Sequence, residues 1–281
     1  MRTHYLPEDP KLQLPIRILN WWGSFWIRLF EFLGGILWLL IEVGNLICFS
    51  CILHRVRFGK GAFITQIVRI GVRSIGIVCL VCACIGLILA IQMQPPLSEF
   101  GQADKIANIV GVAVLRELGP LIAAIVLTGF AGASIAAELG TMVVGEEIEA
   151  LRSQALNPIR FLAMPRVIAT VLSLTLLTII GDVVAVVAAC FVTVQFLGVP
   201  FDVYVDNTLS QVVIADFTTG LIKAAVFGMI LAAIACHNGL KVTGGAAGVG
   251  KATTDTVVQT ILTIVIVDML FTLVFYQLSW T

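Results

Sequence analysis

Long apolar segments decide what this chain can fold into. Four segments are long and mostly apolar, and a fifth is apolar except for one lysine; in chain order the five are Ile70–Gln92, Ile106–Ala137, Val167–Leu197, Phe217–Ala235 and Thr256–Leu278. A helix needs about 20 apolar residues to cross the hydrocarbon of a bilayer. Because lipid offers no hydrogen-bond partners to the backbone, such segments form helices. The sequence therefore predicts an all-α integral membrane protein with five transmembrane helices.

The composition supports this class and argues against others. Hydrophobic residues make up 59% of the 281 residues and charged residues only 12%, whereas soluble domains carry roughly a quarter charged residues. The formal net charge is zero, which argues against a nucleic-acid partner. The polar segment 1–15 lacks the apolar core and cleavage site of a signal peptide, so we expect none.

The connections between the predicted spans alternate in charge. Cations follow the N-terminal region, the second span and the fourth span: Arg55, Arg57, Lys60, Arg69, Arg73, Arg152, Arg160, Arg166, Lys241 and Lys251. The other two connections, 93–105 and 198–216, are acidic apart from Lys105. By the positive-inside rule the first set lies in the cytoplasm. Five spans then place the C-terminus outside.

The chain is predicted to divide into an N-terminal region, 1–54, and a five-span domain, 55–281. Three tryptophans within 21–26 are typical of a helix that lies in the membrane interface. The stretch 32–53 is long enough to span the bilayer but contains Glu42. We expect an interfacial or re-entrant element of the inner leaflet there, and a sixth span is the alternative.

The second predicted span contains adjacent ionisable residues, Arg116 and Glu117, shortly before Pro120. A charge inside hydrocarbon is costly unless it faces protein or a water-filled cavity. Sequence neighbours point in different directions on a helix, so each of the two needs its own partner or lines a cavity. Pro120 leaves the carbonyl of Arg116 without its helical partner, which predicts a kink. We favour a substrate cavity; a purely structural role is the alternative.

Two further intramembrane charges are predicted to form a structural ion pair. Lys223 and Asp268 lie at similar depths in the fourth and fifth spans, which run in opposite directions. Asp182 in the third span has no partner that the sequence identifies. An alternative function uses all three residues as the proton relay of a proton-coupled secondary transporter. Five spans without an internal repeat fit that architecture poorly.

An acid-rich stretch, Gly145–Leu156, lies between the second and third spans on the predicted cytoplasmic side. It is predicted to form a short helix that ends at Asn157–Pro158. The acidic residues lie away from its apolar side and are Glu146, Glu147 and Glu149. A docking partner could act on both adjoining spans through this helix; a merely solvated face is the alternative.

Two patterns resemble known sites but lack the necessary groups. Cys79, Cys82 and Cys84 lie in the first span with no histidine nearby, where thiols behave as small apolar residues. Gly245–Ala252 nearly matches a P-loop, but Ala252 has no hydroxyl for magnesium and no β-strand precedes it. We expect these glycines to form a turn before the last helix, and no metal, nucleotide or catalytic site on this chain.

The central motifs resemble those of the MlaE (YrbE) permease family. The matching stretches are Leu115–Pro120, Ala131–Ser134, Ala137–Gly140, Glu146–Glu147, Asn157–Pro158, Pro165–Arg166, Gly248–Thr254 and Val257–Val258. The resemblance extends over residues 55–278. One position departs from the family pattern, since Phe130 stands where members often have arginine.

The resemblance implies the permease subunit of an ABC transporter, which is not itself an enzyme and works as a homodimer in the bacterial inner membrane. A separate cytoplasmic ATPase, which binds ATP and magnesium, would dock at Gly145–Leu156. An MCE-domain ring protein on the periplasmic side would exchange phospholipid with the permease, and a STAS-type accessory protein is a further candidate partner. The residues that match the family's lipid pocket are Arg116, Glu117 and Leu118. A non-transporting scaffold for the ring protein is a third interpretation.

Overall fold

A computed structural model describes residues 10–53 and 60–277, and every regular element in these ranges is a helix. The α-helices are α1 (Pro10–Leu53), α2 (Lys60–Ile70), α3 (Ile75–Glu99), α4 (Ile106–Ala113), α5 (Gly119–Leu127), α6 (Ala133–Val144), α7 (Glu147–Ser153), α8 (Met164–Leu197), α9 (Phe201–Gln211), α10 (Ile214–Leu240) and α11 (Gly245–Gln277). Short π-helical turns at Val114–Leu118, Thr128–Gly132 and Ile159–Ala163 join some of them into longer rods. The predicted all-α class is confirmed.

Within the described residues, five helical rods are long and apolar enough to cross a membrane. They are span 1 (Phe63–Glu99), span 2 (Ile106–Val144), span 3 (Ile159–Leu197), span 4 (Ile214–Leu240) and span 5 (Gly245–Gln277). The five predicted transmembrane helices are therefore confirmed. Most of the rods run past the predicted apolar stretches, because a helix can continue beyond the hydrocarbon.

The N-terminal region forms one unbroken helix, α1, which is not among the helices apolar and long enough to span. A re-entrant element needs a turn, and no turn interrupts α1. The structure therefore does not support the re-entrant form of the expected element. The amide of Asn157 donates a 3.1 Å hydrogen bond to Glu42 Oε1, which ties α1 to the start of span 3. The interfacial position of α1 stays a prediction, and the predicted boundary at 54/55 lies outside the described residues.

Helix α7 connects spans 2 and 3 and is shorter than predicted. It stops before Ala155, whose φ is +59°, and the N–H of Leu156 bonds the carbonyl of Leu151 at 3.0 Å. This is the left-handed C-terminal motif that glycine usually forms, so the predicted end at Asn157–Pro158 is wrong. The buried Ile148 holds α7 against the bundle.

The glycine-rich segment Gly245–Ala252 forms the first turns of span 5, which corrects the turn expected there. The turn is formed instead by Gly244 and Gly245, with φ of +90° and +69°. Gly248 then packs so closely on the carbonyl of Thr243 that a Cβ atom would collide with it. Glycine is required there by tertiary packing within the first turns of a helix, which a sequence pattern alone does not reveal.

Spans 3 and 4 form the centre of the bundle and contact most of the other helices. Glycines bring the helices close together, since Gly86 of span 1 packs on the backbone of Ala185 in span 3, and Gly228 of span 4 packs on Val171. Small residues permit this approach in membrane helices, where van der Waals packing drives association. Large apolar side chains such as Leu80 point outward instead, where lipid would cover them.

We expect Gly86→Ala to lower the free energy of unfolding by about 1–3 kcal/mol, because the new methyl group collides with backbone that cannot move aside. The control is Gly76→Ala in the same helix, where a Cβ atom meets nothing within 4 Å. The control variant should unfold at or above the wild-type temperature. Thermal unfolding in detergent micelles measures the stability of both variants. Equal unfolding midpoints for the two would contradict the close packing of Gly86 on Ala185.

Candidate functional site

A lysine without solvent contact is the centre of an ionic cluster between spans 2, 4 and 5. The side chain of Lys223 is 1% exposed, and its Nζ lies 2.5 Å from Glu117 Oε2 and 2.9 Å from Asp268 Oδ1. Nζ also donates to the hydroxyl of Thr272 at 3.1 Å, and that hydroxyl contacts Glu117 Oε1 at 3.1 Å. Two carboxylates and a hydroxyl thus compensate the buried ammonium group.

Arg116 contacts a different carboxylate. Its Nε donates to Oδ1 of Asp216 at 2.7 Å. The other oxygen of Asp216 accepts the backbone N–H of Val213 at 3.0 Å and so caps the first turn of span 4. The neighbours Arg116 and Glu117 therefore have separate partners on span 4, the arrangement that their adjacent positions on one helix require.

A π-helical turn, Val114–Leu118, carries both residues. The N–H of Gly119 bonds the carbonyl of Val114, five residues back, so the backbone is wider there than in an α-helix. Pro120 follows in the first turn of α5, where its missing N–H costs little. The local irregularity expected at this proline is therefore a π-helical turn.

Glycines let the neighbouring helices approach this turn. Gly220 of span 4 packs against the carbonyl of Leu115, and Gly119 packs against the carboxylate of Asp182; a Cβ atom at either glycine would collide. Span 4 is consequently close enough for both of its charged residues to reach span 2. This contact sets the geometry of the cluster.

The cluster borders an open cavity of about 460 Å³. Its apolar wall is formed by Ile109, Val112 and Ala113, and its polar groups come from Asn108, Arg116, Glu117 and Gln211. The side chains of Arg116 and Glu117 are 23% and 37% exposed, so each has an ionic partner and still faces the opening. Leu118 is half-buried and does not line this cavity.

The cavity offers both donors and acceptors. Its polar lining consists of one cation, Arg116, one carboxylate, Glu117, and the side-chain amides of Asn108 and Gln211, and the buried Oδ1 of Asn108 has no hydrogen-bond partner among the described residues. An unpaired acceptor in a dry environment is costly, so a ligand that donates to it gains free energy. The site can therefore hold a molecule with an apolar body and a head that both accepts from a guanidinium group and donates to oxygen atoms.

Two members of this site were not identified from the sequence. Asp216 falls by sequence in the acidic outer connection 198–216, although an acidic residue just before an apolar span suits the first turn of a helix. Thr272 lies four residues after Asp268, and so shares its face of span 5. Both signals are present in the sequence, but they do not say which helix lies opposite.

Asp182 lies outside the cluster. It is 3% exposed, and its Oδ1 has no hydrogen-bond partner among the described residues. Among the described residues, no hydrogen bond or ion pair links it to Lys223 or Asp268. The three members of the alternative proton relay are therefore not joined in one network.

The remaining predicted sites lie elsewhere. The acidic residues of the α7 segment are all exposed to solvent: Glu146, Glu147 and Glu149. Among the cysteines of span 1, Cys82 is buried and Cys84 is exposed, so they face different surroundings. The described residues hold no group of three or more histidine, cysteine or acidic side chains that could bind a metal ion.

Comparison with known proteins gives consistent matches. The family model described as Permease MlaE matches residues 63–274. A probable ABC transporter permease protein of Rickettsia prowazekii is 37% identical over 214 residues, which cover 76% of this chain and 83% of the relative. A corresponding protein of Synechocystis is 31% identical over 221 residues, 79% of this chain and 84% of the relative.

A plant relative also matches. The protein TRIGALACTOSYLDIACYLGLYCEROL 1, chloroplastic, of Arabidopsis thaliana is 34% identical over 212 residues, which cover 75% of this chain and 61% of the relative. The residues that the family model matches, 63–274, include the helices that carry the ionic cluster. The similarity thus extends over the membrane bundle itself.

We expect Lys223→Met to lower the free energy of unfolding by about 3–5 kcal/mol, because it leaves Glu117 and Asp268 without their shared cation. Adding Asp268→Asn should recover part of this loss, since one uncompensated carboxylate is then removed. Lys105→Met, at an exposed position, is the matched control and should change stability by less than about 0.5 kcal/mol. Denaturation in mixed micelles gives the values; similar losses for both methionine variants would refute the compensating role of Lys223.

Proposed function

The chain belongs to the MlaE permease family, and from this premise we propose that it is the membrane subunit of an ABC transporter that moves a phospholipid or a related lipid. The observation that carries the proposal is the open cavity beside span 2, where Arg116 and Glu117 face an opening with an apolar wall. The name of the plant relative contains that of a galactolipid, which supports a lipid as cargo. ATP hydrolysis would take place on a separate subunit.

The lining of the cavity matches the two parts of an amphiphile. Ile109, Val112 and Ala113 offer an apolar surface for acyl chains. A guanidinium group such as that of Arg116 recognises phosphate oxygens through charge-assisted hydrogen bonds. Glu117 and the unpaired oxygen of Asn108 would accept hydrogen bonds from an ammonium or hydroxyl group of the same head. A phospholipid whose head carries such donors satisfies both requirements.

The lining of the cavity supports exchange on the outer side. Gln211, at the end of α9, lines it, and α9 belongs to a connection that the positive-inside rule assigns to the outside. We therefore propose that an MCE-domain partner would receive or deliver the lipid at this end. The same proposal includes a homodimer, because span 5 exposes most of its apolar stretch in the single chain, with only 11% of it buried.

Coupling to ATP hydrolysis would act through α7. Its exposed acidic residues lie in the connection between spans 2 and 3, and span 2 carries Arg116 and Glu117. A cytoplasmic ATPase that binds α7 could therefore shift the helix that holds the lipid head. A STAS-type accessory protein and placement in the bacterial inner membrane complete the proposal.

The two alternatives are less well supported. A secondary transporter would need a proton path through Asp182, Lys223 and Asp268, and among the described residues no hydrogen bond or ion pair joins Asp182 to the other two. A scaffold for an outer partner would have no use for an intramembrane cavity lined by ionisable residues. Neither alternative explains why Arg116 and Glu117 remain partly exposed.

We expect Arg116→Gln to reduce lipid transfer at least tenfold in proteoliposomes that contain the chain and its ATPase, because one charge-assisted contact with the head is lost. Asp216→Asn keeps the guanidinium group and an oxygen that can cap span 4, so transfer should stay within about threefold of wild type. Equal losses in the two variants would assign Arg116 a purely structural role. Mass spectrometry of the lipids that co-purify with the complex identifies the cargo.

We expect Glu146→Lys combined with Glu147→Lys to reduce the amount of ATPase that co-purifies with the chain several-fold, because both charges on the exposed face of the α7 segment are reversed. The matched control reverses two exposed acidic residues of α9, Asp202→Lys with Asp206→Lys. That control should leave the complex intact. An unchanged complex in the first variant would exclude this docking surface.

A further inference from the structure

A second polar pocket lies between spans 1 and 2, near the ends that the charge pattern assigns to the cytoplasm. Its volume is about 170 Å³. The polar groups and one aromatic ring that line it are Gln66, Arg69, Arg73, Ser134, Glu138 and Phe130. It shares no lining residue with the cavity beside Arg116.

Glu138 organises this pocket by binding two guanidinium groups. Its Oε1 lies 3.1 Å from Nη2 of Arg166, which is almost fully buried, and its Oε2 lies 2.8 Å from Nη1 of Arg69. Arg166 is fixed in turn by a 2.7 Å hydrogen bond from Nη1 to the carbonyl of Leu162. Arg69 also donates to the hydroxyl of Ser134 at 3.2 Å. Arg69 is therefore held in place although its side chain is 40% exposed.

The pocket has an excess of positive charge and unfilled hydrogen-bonding capacity. Arg73 is exposed and forms no ion pair among the described residues, so two guanidinium groups line the pocket against the single carboxylate of Glu138. The buried Arg166, which Glu138 also binds, adds a third positive charge beside the pocket. The buried Oε1 of Gln66 has no hydrogen-bond partner in the described part of the chain and can accept from a hydroxyl group of a ligand. Preorganised cations with spare donors favour an anion, and phosphate above all.

The surroundings of the pocket favour a lipid over a soluble anion. Phe130 lines it and is 42% exposed, and Val68 and Val72, each next to one of the pocket arginines, are 45% and 53% exposed. Glu138 lies six residues before the end of span 2, Val144, or about 9 Å along the helix. An anion at this level with apolar side chains around it has the geometry of a head group attached to acyl chains.

We propose that this pocket binds the phosphate of a phospholipid from the cytoplasmic leaflet, with Arg69 and Arg73 as the contacting groups and Glu138 and Arg166 as positioning residues. The acyl chains would lie along Phe130 and the neighbouring valines. The inference does not rest on the proposed transport function, because binding at this pocket requires neither ATP nor a partner subunit. It assigns the protein a second lipid site, at the opposite end of span 2 from the first.

A local probe can test this site. The photoreactive amino acid p-benzoylphenylalanine in place of Phe130 would crosslink a lipid only where it lies against this pocket. The full chain is placed in nanodiscs that contain phosphatidylglycerol or, separately, a galactosyldiacylglycerol with the same acyl chains and no phosphate. Mass spectrometry after irradiation gives the crosslinked fraction and identifies the lipid, and a parallel sample contains excess inorganic phosphate.

We expect phosphatidylglycerol to crosslink about tenfold more than the galactolipid, and Arg73→Gln to remove most of that difference. Arg73 lies on the surface outside the Glu138 network, so its replacement should leave the fold unchanged. Arg160→Gln removes the same charge from an exposed position on the same side and should have no effect. Arg116→Gln, in the other cavity, should also leave the crosslinking at position 130 unchanged. The crosslinking result therefore stands even if the transport proposal fails.

Three results would overturn the inference. Equal crosslinking of the two lipids would show that phosphate is not recognised. An equal loss of phosphatidylglycerol crosslinking in Arg73→Gln and Arg160→Gln would show that general surface charge, and not this pocket, attracts the lipid. Complete displacement of the lipid by inorganic phosphate at millimolar concentration would make the pocket a site for the free anion.

Discussion

A buried ammonium group must be compensated, and most of the functional geometry of this protein follows from how that is done. Lys223 is enclosed by span 4 and its neighbours and is neutralised by Glu117 of span 2 and Asp268 of span 5. Removing one partner of such a group costs several kcal/mol. The three spans are therefore fixed in register at this level, and Glu117 is held at the edge of an opening where it can also meet a ligand.

The close approach of the helices makes that compensation possible. Glycines at the contacts let span 4 reach the π-helical turn of span 2 and let span 1 lie against span 3. The π-helical turn in turn presents Arg116 and Glu117 to separate carboxylate and ammonium partners. Strong pairing and partial exposure thus occur in the same residues, which suits the binding and release of a polar head in the transport that we propose.

The two polar sites of span 2 lie at opposite ends and differ in charge. The ionic cluster that borders the first cavity has more carboxylates than cations, whereas the pocket around Glu138 has an excess of guanidinium groups. An amphiphile would therefore meet different head-group chemistry at each end of the same helix. The helix α7, directly after span 2, would connect both to events in the cytoplasm.

The sequence by itself determined the membrane class, the five spans and the residues whose charge required an explanation, because hydrocarbon tolerates few polar groups and their positions are visible in any apolar run. It could also place residues on one helix face, as with Asp268 and Thr272. It could not identify Asp216 as the partner of Arg116, or Glu138 as the link between Arg69 and Arg166. Those pairs join helices distant in sequence, and only tertiary packing, set by glycine contacts and a π-helical turn, decided which faces meet.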